Sequence, residues 1–77
     1  MSKEKLDHLE AVIEETIKNN SYGFTKIKNI VCERADLDQL LFIISGLRKG
    51  KKLKDFVQSP RHTEAVKELL EAYDIKE

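Results

Sequence analysis

An apolar stretch in the middle of the chain, DLDQLLFIISGL from Asp36 to Leu47, most restricts what this sequence can fold into. Its apolar residues recur at three- and four-residue spacing, which is typical of the buried stripe of a helix. Phe42 and Ile43 fall outside that stripe, so the predicted helix is apolar on most of its circumference. Such a helix must be surrounded by the rest of the domain or must contact a partner. The stripe consists of Leu37, Leu40, Leu41, Ile44 and Leu47.

Local start and stop signals predict that this helix covers residues 37–49. Asp36 is a suitable N-cap, and Gln39 follows three residues later, where its side chain can complete a capping box. Gly50 is a typical residue just after a helix end, because it tolerates a left-handed backbone. Gly46 lies inside the helix and indicates either a close contact or a frayed end, since glycine there costs about 1 kcal/mol relative to alanine.

The rest of the chain also favours helices. Three glycines and one proline among 77 residues are few breakers, which suits helices better than a turn-rich sheet. The sequence therefore predicts an all-α fold, a small single-domain bundle of four to five short helices formed by residues 1–77. The predicted helices beside the central one cover residues 3–19 with Ser2 as N-cap, 26–34 with Thr25 as N-cap, 52–58, and 60–74 with Ser59 as N-cap.

A mixed fold is the alternative, with strands at residues 27–32 and 40–44. The β-branched residues of the first segment permit a strand. However, Ile30, Val31 and Cys32 are consecutive and break strict alternation, which favours the helix. The alternative would also make the capping signal at Asp36 accidental.

Cysteine usage and hydropathy indicate a cytoplasmic protein that does not enter a membrane. Cys32 is the one cysteine, so the chain cannot form an internal disulfide, whereas small secreted domains usually need several. We expect Cys32 to be a small buried apolar residue. The chain starts with a charged amphipathic stretch, and its longest uninterrupted apolar run, residues 40–44, is far too short to span a bilayer.

Charge is separated along the chain although the formal net charge is zero. Residues 1–20 carry three basic and five acidic groups, residues 24–62 carry nine and four, and residues 63–77 carry two and five. Five of the seven residues from Arg48 to Lys54 are basic. The middle of the chain therefore presents a basic edge that can orient an acidic protein or nucleic acid phosphates.

Specific nucleotide or base recognition is not expected. A phosphate-binding P-loop needs two glycines five residues apart followed by Lys and then Ser or Thr. Here Gly46 and Gly50 are four apart, and Lys52 follows Lys51. A helix-turn-helix over residues 25–44 would need polar side chains on its second helix, where this chain has apolar ones. No aromatic residue is interleaved with the lysines to stack on single-stranded bases.

Catalysis, metals and cofactors are not expected either. His8 and His62 are far apart, and neither has a second His or Cys at metal-ligand spacing. Cys32 has no His near it in sequence, and nothing indicates a lowered thiol pKa. We therefore expect a protein that is not an enzyme and that acts by binding.

The sequence predicts a small regulatory or adaptor protein that binds another protein, or a second copy of itself, through helix 37–49 and the adjoining basic segment 48–54. An accessory protein that binds nucleic acid without sequence specificity is the alternative. The predicted apolar contacts are Phe42 and Ile43. The predicted basic contacts, to a protein or to nucleic acid, are Arg48, Lys49, Lys51, Lys52, Lys54 and Arg61.

Overall fold

The computed structural model describes residues 3–56 and 59–76, and it has an α+β fold. Three helices are joined with one β-hairpin, so the predicted all-α bundle of four to five helices is wrong. In chain order the elements are α1 (Lys3–Asn19), β1 (Phe24–Ile27), β2 (Ile30–Glu33), α2 (Arg34–Arg48), a 3-10 turn (Leu53–Phe56) and α3 (Pro60–Ala72).

Helix α1 matches the predicted helix over residues 3–19. Leu6, Leu9 and Ile13 are buried on one stripe, and Ile17 is partly buried at its end. The acidic residues lie off this stripe, as the spacing predicts. The predicted N-cap, Ser2, lies outside the described residues.

The segment predicted as a helix over residues 26–34 is instead a two-stranded antiparallel hairpin. Strands β1 and β2 are joined by Lys28 and Asn29, whose φ angles are both positive, at 48° and 70°. Positive φ at both central residues is the condition for a type I′ turn, whose twist matches that of the strands. Thr25 therefore lies within a strand, paired with Cys32, and caps no helix.

Burial alternates along the hairpin because one face covers the core. Ile27 and Cys32 are buried and Ile30 is partly buried, whereas Val31 between them is exposed. The consecutive apolar residues at 30–32 thus point alternately inward and outward. This outward-facing valine is what makes the local pattern resemble a helix.

Helix α2 begins three residues before the predicted start. Strand β2 leads directly into it, with Glu33 as an extended N-cap that makes no side-chain capping hydrogen bond. The backbone N–H of Arg34 donates to Gly23 O at 2.8 Å, which holds the loop before the hairpin against the start of α2. Asp36 therefore lies within the first helical turn, and the predicted capping box with Gln39 does not form.

The end of α2 is the predicted glycine cap. The N–H of Gly50 donates to Leu47 O at 3.1 Å and that of Lys51 to Gly46 O at 3.0 Å, which together form a Schellman motif. Gly50 has a φ of 104°, which side chains with a Cβ rarely adopt. This cap turns the chain sharply into the lysine-rich loop.

The C-terminal elements follow the prediction in part. A 3-10 turn, Leu53–Phe56, stands where a helix over residues 52–58 was predicted, and residues 57 and 58 lie outside the described part. Helix α3 begins at Pro60 after Ser59, as predicted, although the Ser59 side chain makes no capping hydrogen bond. Ile75 folds back onto the core and is 5% exposed.

The core is built around α2, which contacts α1, α3 and strand β2. Burying one leucine or isoleucine side chain contributes about 1.5–3 kcal/mol, so this helix supplies a large share of the stability. The buried residues of α2, each at most 4% exposed, are Leu37, Leu40, Ile43, Ile44 and Leu47.

Among the described residues, no helix is both long and apolar enough to cross a membrane.

Adjacent residues of α2 differ sharply in burial, which predicts different effects of mutation. Ile43 is fully buried and Phe42 is 58% exposed. We expect Ile43→Val to lower the free energy of unfolding by about 0.5–1.5 kcal/mol and Ile43→Ala by about 2–5 kcal/mol, because each leaves a cavity. Phe42→Ala should lower it by about 1 kcal/mol or less. Urea titrations followed by circular dichroism measure all three, and equal effects at the two positions would contradict this assignment of core and surface.

Candidate interaction surface

Two of the six predicted basic contacts are held in ion pairs with the protein's own carboxylates. Arg48 Nη1 lies 3.1 Å from Asp7 Oδ1, and its Nε lies 3.2 Å from Glu10 Oε2, outside hydrogen-bond geometry. These pairs join the C-terminal end of α2 to α1. Ser45 supports the same junction by donating to Glu10 Oε2 at 3.2 Å. Arg48 is therefore mainly a contact between helices.

Arg61 at the start of α3 is bound in the same way. Its Nη2 lies 2.9 Å from Glu33 Oε2 and 2.6 Å from Asp36 Oδ2. Hydrogen bonding to Glu33, followed by the charge of Asp36, raises the pKa of the Arg61 guanidinium above its ordinary value. Arg61 thus links α3 to the junction of the hairpin and α2.

The other four predicted basic residues lie together at the C-terminal end of α2 and in the loop after it. All four are exposed, and no carboxylate of the described residues lies within ion-pair distance of their ammonium groups. Asp55, the acidic residue within this loop, accepts a hydrogen bond at 2.9 Å from the backbone N–H of Lys52. Their positive charge is therefore available to a partner. These residues are Lys49, Lys51, Lys52 and Lys54.

Two phenylalanines pack against each other at the same end of the domain, and one of them lies near Lys51. The rings of Phe42 and Phe56 make an edge-to-face contact, with centroids 6.0 Å apart and planes at 87°. Lys51 Nζ lies 5.9 Å from the centroid of the Phe56 ring, at the outer limit for a cation–π contact. We refer to these six residues as the Phe42 patch: Phe42, Phe56, Lys49, Lys51, Lys52 and Lys54.

Gly46 allows this arrangement. A Cβ at that position would lie 2.7 Å from Phe56 Cζ, so a larger residue would displace the ring from α2. The sequence indicated either a close helix contact or a frayed end at Gly46, and the structure has a close contact there with the 3-10 turn. Phe56 is partly buried as a result, whereas Phe42, one helical turn earlier, is left exposed.

The predicted apolar pair of Phe42 and Ile43 is divided by the fold. Ile43 is 0% exposed and packs in the core, so it cannot contribute to a surface. Phe56 was not predicted as a surface neighbour of Phe42, because Leu53 and Phe56 share the spacing of a short amphipathic helix. The Gly46 signal could have located it, since an interior glycine often marks a close approach.

A second cluster of reactive residue types lies beside the hairpin, around a shallow cleft of about 190 Å³. His62 Nε2 lies 3.1 Å from Asp36 Oδ1, and Cys32 lines the same cleft. Burial, and then the charges of Asp36 and Glu68, raise the pKa of the Cys32 thiol, which opposes formation of a nucleophilic thiolate. Among the described residues, no three His, Cys, Asp or Glu side chains are grouped so that they could hold a metal ion.

An open groove of about 700 Å³ runs along α3 beside the 3-10 turn. Its floor is apolar and includes Leu53, Leu70 and Ile75. Its rim carries both signs of charge, with Lys54, Lys67, Lys76, Glu64 and Glu71. This mixed rim selects no class of charged ligand, whereas the lysine-rich loop carries four lysines and one acidic residue, Asp55.

Comparison with known proteins gives no relative of this chain. No family model matches it, and neither a curated protein nor a solved structure matches it at a significant level. Inferences about its function therefore depend on the chemistry of its own surface.

The environment of Cys32 predicts slow thiol chemistry. Because burial raises its pKa above the ordinary value of 9.0, the neutral thiol contributes to stability below about pH 9, and that contribution is lost as the pH rises through the folded-state pKa. At pH 8 we expect iodoacetamide to alkylate the native protein at least about tenfold more slowly than the urea-unfolded chain, because the thiol is both protonated and covered. Mass spectrometry of timed samples measures this. An equal or faster native rate would instead indicate an activated cysteine.

Proposed function

We propose that this protein is a small regulatory or adaptor protein that binds an acidic segment of another protein through the Phe42 patch. The observation that supports this proposal is the exposed Phe42 ring packed on Phe56, whose ring Lys51 approaches to 5.9 Å, beside a loop whose lysines have no carboxylate partner among the described residues. Of the predicted contacts, Phe42 and the four lysines belong to this patch. Ile43, Arg48 and Arg61 are assigned to the core and to internal ion pairs.

The two kinds of side chain would have different roles in binding. Burying Phe42 against a partner removes a large apolar area from water and would contribute most of the affinity, about 1.5–3 kcal/mol for a full side chain. The lysines would attract and orient an acidic partner, and exposed charges of this kind affect association rate and specificity more than affinity. The partner segment should therefore combine Asp or Glu residues with at least one apolar side chain.

The proposed activity is binding without catalysis, in the cytoplasm. The raised thiol pKa of Cys32 and the lack of a grouped metal-ligand set among the described residues favour a non-catalytic role. The cytoplasmic location rests on the single cysteine, which is free and buried, because small extracellular domains usually depend on disulfides.

Captured partners should depend on both components of the Phe42 patch. Wild-type protein and variants are immobilised and exposed to an extract of the native host, and the bound proteins are quantified by mass spectrometry. We expect one set of acidic proteins to be lost with Phe42→Ser and also with the double variant Lys51→Glu/Lys52→Glu. Loss of at least about tenfold is expected, because each change removes the apolar contact or reverses two charges.

Two matched variants control for general effects of polarity and charge. Ala11→Ser makes an exposed apolar position of α1 polar, and this position lies in neither the Phe42 patch nor the hairpin. Lys67→Glu reverses an exposed lysine of α3. Both should retain the same set of proteins. The proposal fails if the patch variants capture what the wild type captures, or if the controls lose the same proteins.

Non-specific binding of single-stranded nucleic acid is the second candidate. The observation that favours it is the Phe42–Phe56 ring pair, with Lys51 near Phe56, since aromatic stacking with a basic surface is typical of single-strand binding. The sequence alone offered no aromatic residue for this purpose, because Phe42 and Phe56 meet only in the folded chain.

This candidate predicts a steep dependence on salt. Fluorescence anisotropy with a labelled oligothymidine should detect binding at low salt, and log K should fall with log salt with a slope of about −3 if four lysines each contact a phosphate. Lys51→Glu/Lys52→Glu should abolish the signal, and Phe42→Ser should weaken it. If neither single-stranded nor duplex oligonucleotides bind at low salt, the acidic-protein proposal stands without this alternative.

A further inference from the structure

The outer face of the β-hairpin carries an exposed pattern that the Phe42 patch does not include. In an antiparallel pair, residues directly opposite each other lie on the same face. Phe24 is opposite Glu33, and Lys26 is opposite Val31, and these four residues form the outer face. The four side chains lie at the corners of a rough square. Phe24 and Val31 occupy one diagonal, which is apolar, and Lys26 and Glu33 occupy the other, which is charged.

The apolar diagonal is more exposed than is usual for such residues. Phe24 is 73% exposed and Val31 is 58% exposed, and Tyr22, just before the hairpin, is 87% exposed. The described residues therefore leave an apolar strip open on this face, and a small domain rarely exposes several large apolar side chains together without a partner.

We propose that this face binds the same face of a second copy of the chain, forming a symmetric dimer. A two-fold axis along the apolar diagonal brings Phe24 against Phe24 and Val31 against Val31 of the second copy. The same rotation brings Lys26 of each copy against Glu33 of the other. The apolar contact is thus flanked by two equivalent ion pairs, and the strands of the two hairpins cross at a large angle, as in orthogonal sheet packing.

Charge complementarity is the argument for a second copy over an unrelated partner. The face presents Lys26 at one corner and Glu33 at the opposite corner. Its best partner therefore places a negative group against Lys26 and a positive group against Glu33. The face itself meets this requirement after the rotation described. A two-fold axis along the strands would bring Phe24 against Glu33 and Val31 against Lys26. An axis across the strands would bring Phe24 against Lys26 and Val31 against Glu33. Both place each apolar side chain against a charge.

The internal contact of Glu33 is compatible with this role. Arg61 binds Glu33 Oε2 at 2.9 Å and Asp36 Oδ2 at 2.6 Å, so two carboxylates share one guanidinium. The two carboxylates and the guanidinium together carry a formal charge of −1 and still attract Lys26 of the second copy. Arg61 also restricts the position of Glu33, which lowers the entropy lost on pairing.

The interface should be weak and reversible. Each hairpin has two strands of four residues, which provides less area than a standard protein–protein interface. We expect a dissociation constant between about 10 μM and about 1 mM. The dimer contact and the Phe42 patch use different residues, so this proposal does not depend on the proposed function.

The first test is sedimentation of the full chain over a dilution series from about 1 mM to about 1 μM. A monomer–dimer equilibrium is expected, and Phe24→Glu should raise the dissociation constant by at least about tenfold, because it places two like charges next to the symmetry axis. Phe42→Ser should leave the equilibrium unchanged. Circular dichroism of each variant verifies that it is folded.

The decisive test uses charge exchange between two chains. Lys26→Glu and Glu33→Lys should each weaken self-association at least about threefold, because each replaces two attractive contacts by two repulsive ones. A one-to-one mixture of the two variants should restore association to at least the wild-type level. In that mixture the two carboxylates of the K26E chain face the two ammonium groups of the E33K chain.

Several outcomes would overturn the dimer. A wild-type chain that stays monomeric at about 1 mM would do so. Self-association that Phe24→Glu leaves intact, or that Phe42→Ser abolishes, would assign the contact to another surface. A mixture that associates no better than its separate components would show that positions 26 and 33 do not meet across copies. Binding of an unlike protein that depends on Phe24, without self-association, would assign the face to that protein.

Discussion

Burial of the apolar side of α2 is the constraint on which the rest of this structure depends. Its five buried side chains lie on one side of the helix, and α1, α3 and strand β2 pack against it. Helix α1 and helix α3 each contribute an amphipathic stripe. The hairpin supplies the remaining cover by turning Ile27, Ile30 and Cys32 inward from a segment of ten residues.

The same constraint explains which parts of the fold could be predicted. Helices α1, α2 and α3 have long periodic stripes, and their periodicity alone indicates them. The hairpin is too short for a reliable pattern, and Val31 between two inward-facing residues imitates helical spacing. Its turn depends on positive φ at Lys28 and Asn29, and lysine gives no sequence signal for that conformation.

The start of α2 shows how distant contacts override a local signal. Asp36 has the sequence context of an N-cap, but its carboxylate binds Arg61 and lies beside His62, which are 25 and 26 residues away in sequence. Local spacing contains no information about those contacts. The candidate surface was predictable only in part. The lysine-rich loop is evident from the sequence, whereas the ion pairs of Arg48 and Arg61 depend on how the helices pack.

Phe42 is exposed because it lies on the flank of α2 that no other element covers completely. The 3-10 turn reaches this flank through Phe56, which packs at Gly46 and touches the edge of Phe42, and the Schellman motif then directs the lysines to the same end of the helix. The described residues leave Phe42 58% exposed, and in the proposed binding function another molecule covers it.

Weak contacts at the two proposed surfaces would support each other. A dimer formed through the hairpins would carry two Phe42 patches, and a partner with two acidic segments could bind both at once. The second contact would then be intramolecular, with an effective concentration that is in the millimolar range for short flexible connections. Each patch has one highly exposed phenylalanine, so using two patches at once would raise affinity without any new kind of contact. Binding would then also depend on the concentration of the protein itself.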